Sequence, residues 1–233
     1  MAGTLYSIPT PLGGRAADVL PVPVLKTVAA LEHFVVENAK SARAFLKDAG
    51  KDPKVAHIEE LNEKSVLGDL LKPLTEGHSI GLLSEAGCPA IADPGARLVE
   101  AAHQDGIRVV PLVGPSSIVL ALMAAGLEGQ RFAFCGYLPR EAEQRKSKIR
   151  ELEARSRRER ETQIFIETPY RNDVLLEALL QSCNPATLLC VANDLTLDSE
   201  EIRTTTIAQW RGAHRAIGKR PTVFLLLSVN RQA

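Results

Sequence analysis

The chain has 233 residues, 45% of them hydrophobic and 24% charged, with Lys plus Arg matching Asp plus Glu at 28 each. That length suffices for one large α/β domain or two small ones with cores of their own, and the composition is that of an ordinary globular chain. No run of about 20 apolar residues occurs, which excludes a membrane-spanning helix, and the neutral balance argues against gripping a long nucleic-acid backbone by net charge alone.

In chain order, "MAGTLYSIPTP" has no basic stretch followed by an apolar core, so no secretory leader is expected, and "TLYSIPT" opens a first strand. "LPVPVLKTVAALEHF" has helical apolar spacing and "FVVEN" follows as a second strand. "SARAFLKDAG" predicts a helix closed by Gly50, and "KSVLGDLLKPLTEG" another that Pro73 bends or ends. Then come strand "SIGLLSEAG", helix "GARLVEAAHQDG", strand "IRVVPLVG" and helix "SSIVLALMAAG". After "RFAFCGYLPR" a charged stretch runs from Arg140 to Arg160, followed by strands in "QIFIETPY" and "ATLLCVANDLT" around the helix "RNDVLLEALLQSC", and a last strand "RPTVFLLLSV". Repeated β-α alternation with continuously apolar strands predicts an α/β fold with mainly parallel sheets covered on both faces, divided into domains of residues 1–112 and 113–233.

One connection is too long. Between the strand ending "GLL" and the helix starting near Ala96 lies "SEAGCPAIADPG", where a plain strand-to-helix connection takes about 2–6 residues. Asp93 followed by Pro94 reads as a helix cap and a first helical position. That leaves Ser84 to Ile91 unexplained. Small residues at the carboxyl end of a parallel strand let a ligand approach the backbone, and open α/β sheets bind ligands there. "VGPSSIVLA" repeats the arrangement, with Ser116 and Ser117 able either to cap the helix or to meet a ligand. There is no G-x-G-x-x-G after the first strand and no G-x-x-x-x-G-K-[ST], and the prolines of "PTPLGG" remove backbone donors. These absences disfavour a pyrophosphate cofactor and favour one held by backbone carbonyls, small side chains and apolar contact.

"LYSIPTPLGG", "SEAGCPAIADPGARLV", "PLVGPSS", "FCGYLPR", "IFIETPYR" and "LNEK" together resemble the tetrapyrrole-methylase superfamily of S-adenosylmethionine (SAM) methyltransferases. Within it they are most similar to the bacterial enzymes that methylate a cytidine ribose 2′-oxygen in small-subunit ribosomal RNA. The resemblance implies a two-domain, class III methyltransferase fold, a homodimer, and SAM in the cleft between the domains. It implies cofactor contacts from Pro11, Leu12, Gly87, Cys88, Ile91, Ser116, Ser117, Glu167, Thr168, Asn193, Pro221 and Thr222. RNA is then the implied substrate.

The segment after the second strand departs from the family pattern. Where the ribosomal group reads like "CEDTRHTRKLL", this chain has "VENAKSARAFL": Glu37 and Arg43 stay, while an Asp has become Asn38 and an Arg has become Lys40. Glu37 is the candidate acid or acceptor for a poorly nucleophilic hydroxyl, and Lys40 a point charge for a phosphate. Asn193 likewise stands for an Arg. These changes, and a sequence that stops soon after "FLLLSVNRQA" where the ribosomal group usually extends further, leave two alternatives: a SAM-binding homologue without catalysis, or a methyltransferase for a small, tetrapyrrole-like molecule.

The stretch "PREAEQRKSKIRELEARSRRERE" admits two readings, a solvated helix laced with ion pairs or an RNA-facing strip built on Arg145, Lys146, Lys148 and Arg150. Cys88, Cys135, Cys183 and Cys190 have no C-x-x-C spacing and read as reduced thiols, and Cys88 as packing. His33, His57, His78, His103 and His214 lack metal-ligand spacing, so no metal is expected. The expected location is the cytoplasm, with no membrane partner.

Overall fold

A computed structural model describes residues 2–213 and 215–228. His214 and Val229, the last residue of the expected final strand, lie outside them. The chain divides into two compact units, residues 1–116 and 117–233.

In unit 1, strands β1 (Thr4–Ile8), β2 (His33–Val36), β3 (His57–Glu60), β4 (Ile80–Leu83) and β5 (Arg108–Pro111) form one sheet in the order β3-β2-β4-β1-β5. Every pairing in it is parallel. Helices α1 (Ala16–Val19), α2 (Val22–Ala30) and α3 (Ala39–Asp48) cover one face, packing Ala16, Leu20, Val24, Val28 and Leu46 against Ile8, Phe34, Val36 and Leu83. Helices α4 (Leu67–Thr75) and α5 (Ala96–Gln104) cover the other, packing Leu70, Leu71, Leu74 and Leu98 against Leu5, Val35, Ile80 and Leu82. Side chains alternate along a strand, so Val35 and Val36, or Leu82 and Leu83, serve opposite cores. This is why these strands read as unbroken apolar runs. Fully burying each such side chain contributes about 1.5–3 kcal/mol.

The chain steps from β1 across to β2 and β3, then returns to β4 and crosses to β5 on the far edge. The helices that follow β2 and β4 therefore lie on opposite faces, and the gap between the carboxyl ends of these two neighbours is a topological switch point.

In unit 2, strands β6 (Phe132–Tyr137), β7 (Thr162–Ile166), β8 (Leu188–Asn193), β9 (Glu201–Thr206) and β10 (Thr222–Leu227) form a second sheet in the order β6-β7-β10-β8-β9. Helices α6 (Ser117–Ala125), α7 (Ala142–Glu159), α8 (Asn172–Ser182) and α9 (Ile207–Ala213) accompany it. Its core includes Phe165 and Phe224, stacked at 5.9 Å, with Trp210 donating from its indole N–H to the Leu189 carbonyl at 2.9 Å.

This sheet is mixed, where mainly parallel sheets were expected. Only β6 and β7 are parallel neighbours; β10 runs antiparallel to β7 and β8, and β9 antiparallel to β8. Helix α8 does connect two parallel strands, β7 and β8, but the last strand slots between them in the opposite sense. The connection from β8 to β9 is only residues 194–200, too short for the dozen or more residues of a crossover.

Strands β3 and β9 went unread in the sequence, and both are sheet edges. "HIEE" and "EIRTTT" show little apolar periodicity because an edge strand is half solvated, and charge there discourages pairing with another chain. Helix α7 carries the charged stretch, burying Ile149 and Leu152 in the core of unit 2 and lacing its charged residues with ion pairs. Lys146 pairs with Glu143 at 2.9 Å and Lys148 with Glu151 at 2.6 Å, both three residues apart, while Arg155 pairs with Glu161 and Arg158 with Glu159. Arg145 is buried, donating to the carbonyls of Pro139 and Arg140.

Candidate active site at the carboxyl edge of the first sheet

Three loops leave the carboxyl edge of the first sheet side by side and are bonded together. The loop after β1 pairs with the loop after β4 through Thr10 and Gly87, whose N–H groups each donate to the other's carbonyl at 2.9 and 3.0 Å. The Thr10 hydroxyl reaches the Ser84 carbonyl at 3.4 Å, and the Ser84 hydroxyl the Gly87 carbonyl at 3.2 Å. The loop after β4 meets the loop after β5 where the Cys88 thiol donates to the Pro115 carbonyl at 3.4 Å. Burial pushes the Cys88 thiol up, away from the reactive thiolate form.

The small residues have backbone reasons. Gly87 adopts φ +79°, and a Cβ there would stand 3.2 Å from Leu12 Cδ2. At Gly114 a Cβ would strike Pro9 at 2.4 Å. Ala90 and Ala92 sit at φ 66° and 67°, left-handed values that cost about 1–2 kcal/mol each for a residue with a Cβ. Between them Ile91 is held 50% exposed. Pro11, Leu12, Gly87, Cys88, Ile91 and Ser116 are thus brought to one strand-end cluster, with Ser117 opening α6 next in the chain.

Asn38 caps α3, its side-chain oxygen accepting from the N–H groups of Lys40 and Ser41 at 2.9 and 3.3 Å. The amide therefore keeps the capping role an Asp would have. Glu37 is half-buried and accepts from the Glu85 N–H at 3.3 Å; Ser41 donates to Glu85 Oε1 at 3.2 Å, which joins the β2 and β4 loops across the switch point. Lys40 is exposed in the first turn of α3, which carries no acid. A cation there opposes the helix dipole by about 0.3–1 kcal/mol.

Asp93 behaves differently from the expected cap. Helix α5 begins at Ala96, with Gly95 at φ 132° as the flanking residue and no side-chain cap. The bend Ile91–Gly95 ends the loop before the helix starts, so the Asp93 carboxylate is out of reach of the first-turn donors. Among the described residues it makes no hydrogen bond and no ion pair. Burial, with Glu37 and Glu85 nearby, pushes its carboxyl up to about 6. A cavity of about 480 Å³ opens beside it, lined by Leu61, Asn62, Leu67, Asp93 and Gly95 among others, most of its wall apolar. Asn62 shapes that wall as a turn, not as a helix cap: its side-chain oxygen accepts from the Lys64 N–H at 2.9 Å, while α4 starts at Leu67. Glu85 and the exposed side of Asp93 escaped sequence reading because "SEAG" and "DPG" match a turn and a cap just as well.

The remaining sequence candidates lie in unit 2, at the edge formed by the carboxyl ends of β7 and β8 and the start of β10. Glu167 is buried and accepts from both Arg171 Nη2 at 2.5 Å and the Thr168 N–H at 2.6 Å. Thr222 Oγ1 donates to Asn193 Oδ1 at 2.9 Å and accepts from Asn172 Nδ2 at 3.1 Å. The Pro221 carbonyl accepts from the Asp194 N–H at 3.0 Å.

A sequence profile of the tetrapyrrole (corrin/porphyrin) methylases matches residues 4–210. The chain belongs to this family. Among similar proteins are the ribosomal RNA small subunit methyltransferases I of Escherichia coli O157:H7, 33% identical with 89% of this chain and 70% of that protein covered, and of Mesorhizobium japonicum, 35% identical with 87% and 67% covered. Among solved structures, the methyltransferase CobJ superposes with a TM-score of 0.66 at 19% identity, over 97% of this chain and 95% of that one. The uroporphyrin-III-C-methyltransferase of Thermus thermophilus gives 0.59 at 19% identity, over 98% and 93%. At that identity they carry the fold alone. This tetrapyrrole-methylase chain is a SAM-dependent methyltransferase, and SAM is the cofactor its family uses. The first-sheet edge fits such a group: a glycine cradle that a Cβ would close, carbonyl acceptors, small side chains and the exposed Ile91 suit an amphipathic molecule with few anionic groups. Among the described residues no helix is long and apolar enough to cross a membrane.

Proposed function

We propose that this methyltransferase transfers the methyl group to ribosomal RNA of the small subunit, at a ribose 2′-oxygen, in the cytoplasm and as a homodimer. The observation that carries the acceptor is the 33–35% identity, over 87–89% of the chain, to enzymes named for methylating that RNA. The 2′-oxygen follows from the sequence resemblance of the strand-end blocks.

Bound SAM supplies an electrophilic methyl group on a sulfonium. In this reading Pro11, Leu12, Gly87, Cys88, Ile91, Ser116 and Ser117 hold it, through carbonyls and apolar contact, against the strand ends. Glu37 orients the acceptor hydroxyl from the switch point, while Lys40 takes a flanking phosphate. A phosphate there would turn the unfavourable placement of that cation in the first turn of α3 to advantage. The dimer reading is supported by α6, whose residues are apolar on all sides and which leaves Met123 75% exposed.

The test is transfer of labelled methyl from SAM to purified small subunits and to their naked RNA, run beside a thermal melt. At about 100 times its dissociation constant SAM stabilises the native state by about 2.7 kcal/mol, a rise of about 5–10 °C. Label in RNA, at a nuclease-resistant 2′-O position, is the expected result. A SAM-induced rise without label in either RNA would overturn the acceptor and keep the cofactor.

A further inference from the structure

We infer that Asp93 is a catalytic residue of this methyltransferase, the carboxylate that takes the proton of the acceptor hydroxyl, with the acceptor seated in the adjoining cavity of about 480 Å³. The inference rests on the reading above that the acceptor is a hydroxyl.

Three observations converge on this carboxylate. It stands at the carboxyl edge of a parallel sheet, on the loop that leaves the switch point between β2 and β4, where such folds place ligands. Its "DPG" setting is that of a helix cap, yet the helix starts three residues later without it, so the side chain serves no local structure. Among the described residues nothing donates to it, although a half-buried carboxylate is costly to leave unpaired. Leu61, Leu67, Pro94 and Gly95 give the cavity its mainly apolar wall, and the charged groups that share it with Asp93 are Glu63 and Arg97. The missing donor is then a hydroxyl of the molecule that fills the cavity.

The chemistry closes without another reactant. The hydroxyl O–H bond breaks and its proton passes to an Asp93 oxygen; the hydroxyl oxygen forms a bond to the methyl carbon, and the carbon–sulfur bond breaks with its electron pair kept by sulfur. A general base works best when its own acidity is close to the operating pH. Asp93 moves that way because burial comes first, with Glu37 and then Glu85 adding to it. Glu37, by contrast, already accepts a backbone N–H, which suits it to orient and not to collect a proton.

Asp93→Asn keeps the shape and removes the basicity. We expect kcat to fall at least about 100-fold, within the range general bases contribute, with KM for RNA and the SAM-induced thermal rise unchanged; the acidic limb of kcat/KM near pH 6 disappears, and Asp93→Glu restores part of kcat. A variant within twofold of wild type, with the same acidic limb, overturns the inference. A second measurement does not need turnover: in ¹³C-carboxyl spectra of the full wild-type chain the Asp93 signal should titrate near pH 6 and move when a cytidine-containing RNA fragment is added. A signal that titrates near the ordinary value of about 4 and ignores the fragment overturns it too, even if methyl transfer to RNA proceeds. Failure of transfer by wild type, with an Asp93 signal that responds to a hydroxylated small molecule instead, would remove the RNA reading and keep this one.

Discussion

Asp93, at the carboxyl edge of the first sheet, accepts nothing from the protein among the described residues, whereas Glu167, at the corresponding edge of the second, accepts from Arg171 twice and from the Thr168 N–H. The contrast extends to their neighbours. Around Asp93 the loops are strained, rich in small residues and face a cavity. Around Glu167 the polar groups are densely bonded: Asn172, Thr222 and Asn193 form a chain, and Arg220 joins Asp194 to Glu201. The buried Asn172 Oδ1 nevertheless lacks a partner among the described residues, and Asp194 and Thr196 also hold positive φ values of 49° and 73°. Strain is common to both edges, so what separates them is the carboxylates themselves, one unpaired beside a cavity and the other held by an arginine and a backbone N–H. Both edges carry residues that family resemblance assigns to the cofactor. Physical chemistry separates them by what each would lose on substitution.

The largest expected effect falls on the second edge. Glu167→Ala removes a carboxylate whose side chain is 2% exposed and leaves Arg171, 26% exposed, without its partner. Breaking a buried pair costs about 3–5 kcal/mol, and the partly exposed arginine puts this one at the lower end. For a chain of this length that is a fall of about 6–12 °C in melting temperature. SAM affinity, read from the ligand-dependent part of the melt, should change less than threefold. A stable variant that no longer responds to SAM would reverse the comparison and make Glu167 a cofactor ligand.

Next comes Gly114→Ala, on the first edge. The added Cβ would lie 2.4 Å from the Pro9 Cβ, and a proline ring cannot swing away. Overpacking of this kind costs about 1–3 kcal/mol. Because it drives apart the loops after β1 and β5, SAM affinity should fall at least tenfold, measured by calorimetry, alongside the loss in melting temperature. Equal affinity in the variant would mean that the three-loop cluster is only a packing device.

What could be read in the sequence follows the same physical line. Strands β2 and β4 were legible because each is buried on both faces, so "FVV" and "GLL" stand out as apolar runs. The parallel order of unit 1 follows from helices placed between strands. The antiparallel insertion of β10 was not legible, since nothing in "TVFLLL" says between which neighbours, or in which sense, the strand will lie. Edge strands β3 and β9 were hidden by their own polarity. At the site, Gly87 and its small neighbours announced a close approach because a positive φ and a missing Cβ have few residue solutions. Asp93 misled because Asp before Pro-Gly is a favourable cap in isolation; only the three-dimensional bend places its carboxylate beside a cavity instead of over the helix.

A smaller effect is the pH dependence of stability that Asp93 brings. An unfolded aspartate titrates near about 3.9, and here burial and the acidic neighbours raise the folded value to about 6. The folded state therefore holds its proton more tightly than the unfolded state. The stabilising contribution is fully present below about pH 4 and is lost as the pH rises through 6. Asp93→Asn, which mimics the protonated form, should lose that dependence. Relative to wild type its melting temperature should rise steadily from pH 4 to pH 7 and then level. A constant difference between the two proteins across that window would place Asp93 in bulk solvent, and the contrast between the edges would lose its centre.

The smallest effect expected is on helix α7, far from either edge in character. Lys148 is 37% exposed and Glu151 62% exposed, a geometry in which an ion pair contributes about 0.3–0.5 kcal/mol on a helix surface. Lys148→Ala should shift the melting temperature by no more than about 1–2 °C. The informative readout is RNA binding against salt. Each phosphate neutralised by the protein changes the slope of log affinity with log salt by about 0.7 on a single strand. If α7 were an RNA-facing strip, the Lys146→Ala/Lys148→Ala pair would flatten the slope by about 1.4. We expect no measurable flattening, because both ammonium groups are already engaged by glutamates of the same helix and releasing them returns as much as an RNA phosphate would give. A flattening of that size would move the RNA-contacting surface into unit 2, and Lys40 would no longer be the cation to examine first.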